Sequence, residues 1–203
     1  MKKKSIIFAA ILFAMSASGQ TCPDENHPHA IDLGLPSGTK WACCNLGAKM
    51  PSEVGAYFAF GETEEKEIFD AKNYEMQTYR GKKIIESCDV AHLTLGSPWL
   101  MPTTDQIKEL IDNCTSEWKS IKDIEGRLFK GKNGNSIFLP AGGKQIIIDN
   151  SSLNSLGWYW SSNEVVTDNS LAYFMYFHKS NAGISKGGKP QGLNIRPIQY
   201  LKK

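Results

Sequence analysis

Gly157-Trp158-Tyr159-Trp160-Ser161-Ser162 opens, and Gly192-Leu193-Asn194-Ile195-Arg196-Pro197-Ile198 closes, the stretch on which the fold of this chain turns. Between them, Leu171 to Phe177 is an apolar run of strand character. Two polar segments flank it, Asn163 to Ser170 and Lys179 to Gln191. The pattern reads as strands framing two variable loops. Alternation along a strand sets Trp158 and Trp160 on one face and Tyr159 on the other. A tryptophan buries a large apolar area, which assigns Trp160 to the core. The polar segments are rich in Asn, Ser, Gly, Thr and Lys, the adaptable groups of binding loops. The candidate ligand-binding residues are therefore Tyr159, Asn163, Thr167, Asp168, Asn169, His178, Lys179, Asn181, Lys186, Lys189 and Gln191. Arg196 is expected to be at least partly buried, paired with carbonyls or an acid, and to lock the last strand.

Upstream lies the clearest helix. Ile107, Leu110, Ile111 and Cys114 fall at i, i+3, i+4 and i+7, one stripe of an α-helix over about residues 103–114. Thr103 as N-cap with Gln106 three residues on makes a capping box, and Asp105 adds negative charge to the first turn. Further back, Asp89 to Leu93 suggests a short helix. Its His92 reads as packed or solvated sooner than catalytic. After the main helix the chain turns β-like: residues 127–130 and 136–140 flank Gly131-Lys132-Asn133-Gly134, a hairpin signal. Gln145 to Ile148 is a short strand or edge. Ile31 to Leu35 and Lys40 to Ala42 form two strands around the turn Pro36-Ser37-Gly38. Tyr57 to Glu62 is a short apolar run, and Glu62 to Lys66 a charged, solvated turn. The fold class is α+β: one domain of mixed or antiparallel short strands, one clear helix and long C-terminal loops.

Met1-Lys2-Lys3-Lys4, the apolar run Ile6 to Met15 and the small residues Ser16 to Gly19 read as a secretory signal peptide, residues 1–19. The apolar run is shorter than the roughly 20 residues that span a bilayer. A single domain over residues 20–203 remains. Without the three leader lysines, 20 basic groups face 21 acidic ones, a formal charge of −1. That balance gives no electrostatic footprint for nucleic acid. The expected location is exported: secreted, periplasmic or on the cell surface. Lipidation at Cys22 is disfavoured, because Gly19-Gln20-Thr21 lacks the Leu and small residue it wants.

The chain has five cysteines, Cys22, Cys43, Cys44, Cys88 and Cys114. Outside the cytosol thiols pair, and an odd number leaves one over. Disulfides or buried thiols are favoured over a metal site, since C-x-x-C and matching histidine spacing are absent. Cys44 with Cys114 is the preferred contact. His27 and His29 would share one side of an extended segment, a metal half-site. No third ligand is suggested nearby, so Thr21 to Ala30 reads as a solvated entry segment. No metal, no cofactor and no catalytic residue is expected. Gly183-Ile184-Ser185-Lys186-Gly187 lacks the strand–turn–helix setting of a nucleophile elbow and reads as a flexible polar loop.

Several blocks together resemble the Fibrobacter succinogenes major paralogous domain, a family abundant in exported proteins of Bacteroides and relatives. They are His29 to Asn45, Tyr57 to Glu62, Asp89 to Ala91, Trp99 to Thr103 with the helix through Cys114, Asn133 to Ala141, Tyr159 to Ser162, and Ile195 to Ile198. The resemblance spans nearly all of the chain after the leader. It implies a C-type-lectin-like fold, related to formylglycine-generating-enzyme domains, with a binding face built on loops of the C-terminal half. Trp41, Trp99, Trp160, Ser161, Arg196, Cys44 and Cys114 are then framework residues. Leu100 and Gln106 depart from the Arg and Glu common in the family. The catalytic cysteine pair of formylglycine-generating enzymes has no clear counterpart, which argues against their oxidase activity. The Glu-Pro-Asn and Trp-Asn-Asp calcium motifs are missing too. The function expected is a non-enzymatic binding module for an extracellular or periplasmic glycan or protein. The alternatives are a structural or adhesin-type subunit of a surface appendage, and an enzyme using His92 or His178.

Overall fold

The computed structural model describes residues 22, 24, 26–75, 82–145 and 152–200. The leader and Ile146 to Ile148 lie outside them. Strand β7 (Gly157–Glu164) is buried on both faces. Tyr159 points into one core, with Trp41, Phe129, Ile137, Leu139, Met175 and Phe177. Trp160 points into a second, with Phe58, Phe60, Met101, Phe174 and Leu193. The alternation of a strand thus sets the two large apolar clusters on opposite sides of β7, with a small third one of Ala59, Phe69 and Tyr74 apart from them. Burial of each large side chain contributes about 1.5–3 kcal/mol. Trp160 is fully buried, and its indole N–H donates to the Phe58 carbonyl at 2.8 Å. Gly157 has no substitute here: a Cβ would overlap the Phe177 ring, which stacks on Tyr159.

Strand β7 pairs with β8 (Leu171–Phe177), and β8 with β9 (Ala182–Gly188), all antiparallel. The run 183–187 is therefore a strand in register with Tyr176 to Ala172, which corrects the flexible loop expected there. A second antiparallel sheet contains β4 (Thr115–Ile121), β5 (Ile124–Lys130) and β6 (Ser136–Pro140). Its β5–β6 turn is the expected hairpin, with Gly134 at φ +89°. Strand β4 has no counterpart in the sequence reading. The third sheet, in the order β1-β2-β10-β3, joins β1 (Ala30–Asp32), β2 (Lys40–Ala42), β10 (Ile198–Gln199) and β3 (Trp99–Leu100). Its β1–β2 turn is closed by the Gly38 N–H donating to Leu35 O at 2.9 Å, with Pro36 at the second position.

Helix α1 (Val90–Leu95) is the short helix expected, and α2 (Thr104–Asn113) the clear one. Both halves of the α2 capping box are made: Thr103 Oγ1 accepts from Gln106 N–H, and Gln106 Oε1 from Thr103 N–H at 2.8 Å. Ile107 and Leu110 are fully buried, while Ile111 and Cys114 pack on the rim of the first core. The architecture is thus α+β, with short, mostly antiparallel strands and one substantial helix.

Residues 192–195 run beside β7 and the 56–60 segment, held by Trp160 N–H to Asn194 O and reciprocal Phe58–Leu193 bonds. This buried strap stands where the closing stretch was expected to be the last strand; only Ile198–Gln199 is one. Arg196 follows, fully buried. Its Nε donates to Asn45 Oδ1 (2.8 Å), Nη1 to Ala42 O (3.0 Å) and Nη2 to Phe138 O (2.7 Å). The guanidinium fork thereby ties the last segment to β2 and β6, as expected.

One expectation fails on burial, and one pairing is narrowed. Glu62 is not a solvated charge: it is 5% exposed, bonded by Glu75 N–H at 2.6 Å and by Lys66 Nζ at 2.7 Å. The preferred Cys44–Cys114 contact is not a disulfide, and none of the five cysteines is disulfide-bonded. Cys44 is buried 3.9 Å from Cys43, while Cys114 is half-buried at the end of α2.

Candidate functional site

Asp89 caps α1, accepting from Ala91 N–H (3.0 Å) and His92 N–H (3.2 Å). The same carboxylate accepts from Met101 N–H at 2.9 Å, which ties α1 to the strand before α2. Burial raises the Asp89 carboxyl above its usual range, and those N–H donors work against the rise. The two helices held this way leave a groove between them of about 900 Å³. Leu100, Met101 and Ile198 supply its apolar lining, and His92, Gln106 and Tyr200 supply polar groups. Charges of both signs surround it, Lys83 against Glu86, Asp105 and Glu109. Glu109 is committed to the fold, accepting from Ser37 N–H (2.7 Å) and Ser37 O–H (2.6 Å). His92 is not: its Nδ1 is buried with no hydrogen-bond partner. The sequence reading singled out His92 but did not place it in a groove, because the opposite wall comes from α2 and β10.

The expected ligand-binding residues do not form one face. Tyr159 is 1% exposed, and its hydroxyl donates to Pro140 O (2.7 Å) while accepting from Asn45 Nδ2 (3.0 Å). Burial pushes this phenol up to about 12. Lys189 is 2% exposed and paired with Glu164 at 2.5 Å, so it too belongs to the interior. Asn163 is half-buried and accepts the Thr104 N–H at 2.8 Å, which fastens the start of α2 to β7. Thr167, Asp168 and Asn169 are exposed in the β7–β8 turn. Exposed Lys186 and half-buried Gln191 lie toward that end of the sheet. Half-buried His178 and exposed Lys179 and Asn181 form the turn at the other end of β8. A seven-residue strand separates the two turns, on the order of 20 Å. The framework expectations fare better: Trp41, Trp99, Trp160, Ser161, Arg196 and Cys44 are all buried.

A second constellation lies at the opposite sequence end. Cys22, His27, His29 and Cys43 turn one ligand atom each toward a common point, all within 4.8 Å of one another. The β1–β2 pairing explains half of it. Ala30 pairs with Ala42, so His29 and Cys43 face each other just beyond the ladder, and the His29 N–H donates to Cys43 Sγ at 3.1 Å. Pro28 separates the two imidazoles, whose rings meet edge to face at 5.4 Å. Cys22 Sγ closes the group at 3.3 Å from His29 Nδ1. The Cys43 thiol is held far below the usual thiol range, at about 4. Its contact with the Cys44 thiol lowers it most, and the His29 N–H and both imidazoles add to that against the effect of burial. Burial and the Cys43 charge push Cys22 up to about 12. The H-x-H pair was visible in the sequence, but its partners were not. They sit five residues before the pair and across a strand pairing, at no spacing that marks a motif.

Comparisons with family models, with curated proteins and with solved structures find no match for this chain.

Proposed function

We propose that the chain is an exported, non-enzymatic binding module of the paralogous-domain type, C-type-lectin-like in fold. It takes a glycan or a protein segment in the groove between α1 and α2. The observation that carries this reading is the groove itself. Its volume of about 900 Å³ falls within the range of ligand sites, and its walls stand on helices and strands that are capped and cross-bonded. A lining that sets Leu100, Met101 and Ile198 among polar side chains and charges of both signs suits a ligand that is neither fully apolar nor highly charged. The basic, then apolar, then small-residue order of residues 1–19 supports export. Among the described residues, no helix is long and apolar enough to cross a membrane.

The test is binding of the purified chain to a glycan array and a peptide array. His92→Ala and Tyr200→Ala should abolish any hit, while Thr167→Ala with Asn169→Ala should leave it intact. The reverse pattern moves the site to the β7–β8 turn. Absence of any hit on both arrays removes the binding reading.

One observation favours the appendage subunit as a second reading. Strand β9 is the outer strand of its sheet, paired on one side only among the described residues. Such an edge accepts an added strand. Gel filtration of native extract separates the two: a monomer for the binding module, a large assembly for the subunit.

A further inference from the structure

We infer that Cys22, His27, His29 and Cys43 form a structural zinc site that fastens the segment before β1 to the end of β2. The donor set is two thiols and two imidazoles, the borderline-soft combination that selects zinc over calcium or magnesium. The distances fit a single ion. Tetrahedral zinc with ordinary Zn–S and Zn–N bonds separates each sulfur from each nitrogen by about 3.6 Å. Here Cys22 Sγ lies 3.5 Å from His27 Nδ1 and 3.3 Å from His29 Nδ1. Cys43 Sγ lies 3.2 and 3.8 Å from the same two atoms. All four sulfur–nitrogen separations thus match the edges of one tetrahedron.

The surroundings have the features of a metal site as well. His29 turns its Nε2 to Asp24 Oδ1 at 3.1 Å. This carboxylate–histidine pair keeps the proton on Nε2 and the Nδ1 lone pair toward the sulfurs. The backbone N–H of His29 donates to Cys43 Sγ, as a bond to a metal-bound thiolate would. Two thiolates balance the dication, so burial of Cys43 adds no net charge to the interior. Four protein ligands fill the coordination shell, which makes the site structural and not catalytic. A bare Cys22–Cys43 disulfide would leave both imidazoles facing it to no purpose.

The experiment uses the purified chain, loaded with zinc under reducing conditions and freed of excess metal. Elemental analysis is expected to find about one zinc per chain. Cobalt substitution should give the visible band of a tetrahedral ion together with a thiolate charge-transfer band in the near ultraviolet. Cys22→Ser and His27→Ala, both at the half-buried rim, should lose the metal while near-ultraviolet circular dichroism shows a retained fold. Cys88→Ser and Cys114→Ser should keep full stoichiometry. Asp24→Ala should weaken zinc affinity about tenfold or more in competition with a chromophoric chelator. The inference is overturned by clearly substoichiometric zinc, by zinc content indifferent to Cys22→Ser and His27→Ala, or by a Cys22–Cys43 disulfide that forms even when zinc is supplied first. The groove plays no part in any of these readouts.

Discussion

Arg196 carries a charge into the middle of the molecule, and its acceptors on Asn45, Ala42 and Phe138 are all uncharged. Burial lowers its pKa, and hydrogen bonding keeps the group tolerable. Removing it strands three buried acceptors, each costing about 1–3 kcal/mol. Arg196→Met should therefore lower unfolding free energy by at least ~3 kcal/mol in urea titration. Arg196→Lys should recover little, because an ammonium cannot reproduce the planar fork. The Glu164–Lys189 pair obeys a different rule. Lys189→Ala leaves a buried carboxylate alone and should cost about 3–5 kcal/mol, whereas Lys189→Met with Glu164→Leu should restore most of it. If the single and double variants unfold at the same urea concentration, the pair is not what holds this part of the interior.

At the scale of elements, α2 was legible because its signals are local: the apolar stripe, Thr103 and Gln106 all lie within a few residues. Thr103→Ala is expected to cost about 1 kcal/mol, read as a shift in the urea midpoint. Strands β4 and β9 were not legible, for a physical reason. Each is the outer strand of its sheet, and its side chains are half-buried or exposed. Thr115-Ser116-Glu117 and Gly187-Gly188 therefore show no alternation to read. Their pairing is dictated by Leu128, Phe129, Phe174 and Met175 on the neighbouring strands. The same holds for the candidate sites. Asn163 and Lys189 look like loop residues in sequence, but Thr104 and Glu164, distant in the same chain, draw them inward. The Cys22–Cys43 group exists only once β1 and β2 have paired. In the β7–β8 turn, Ser170 donates both its O–H and its N–H to Asp168, which holds that carboxyl below 3.8. Its contribution to the turn is present above 3.8 and fades as pH falls through the lower folded value. Carboxyl NMR titration should find that midpoint, and Ser170→Ala should raise it.

Over the whole molecule, phenols are buried along with hydrocarbon: Tyr159 in the first core, and Tyr57 against a small cluster of Ala59, Phe69 and Tyr74. Tyr57 and Tyr159 are both raised by burial to about 12, from an ordinary 10. Below 10 both are neutral in folded and unfolded chains, and their stabilising share is complete. Between 10 and 12 the unfolded chain ionises first, so stability falls as pH rises. Phenolate absorbance should lag in the native protein and jump with loss of the far-ultraviolet circular dichroism signal; smooth titration at the ordinary value would contradict the burial. The order β1-β2-β10-β3 has a temporal meaning as well. The strand that bridges β2 and β3 is the last in sequence of the ten strands among the described residues. Until Ile198 and Gln199 take their place, the β1–β2 pair and the lone strand β3 keep facing, unpaired edges. Completion of this sheet waits on Ile198 and Gln199, which follow every other described strand in sequence. A chain stopped after Ile195 should remain protease-sensitive throughout, not merely at its cut end.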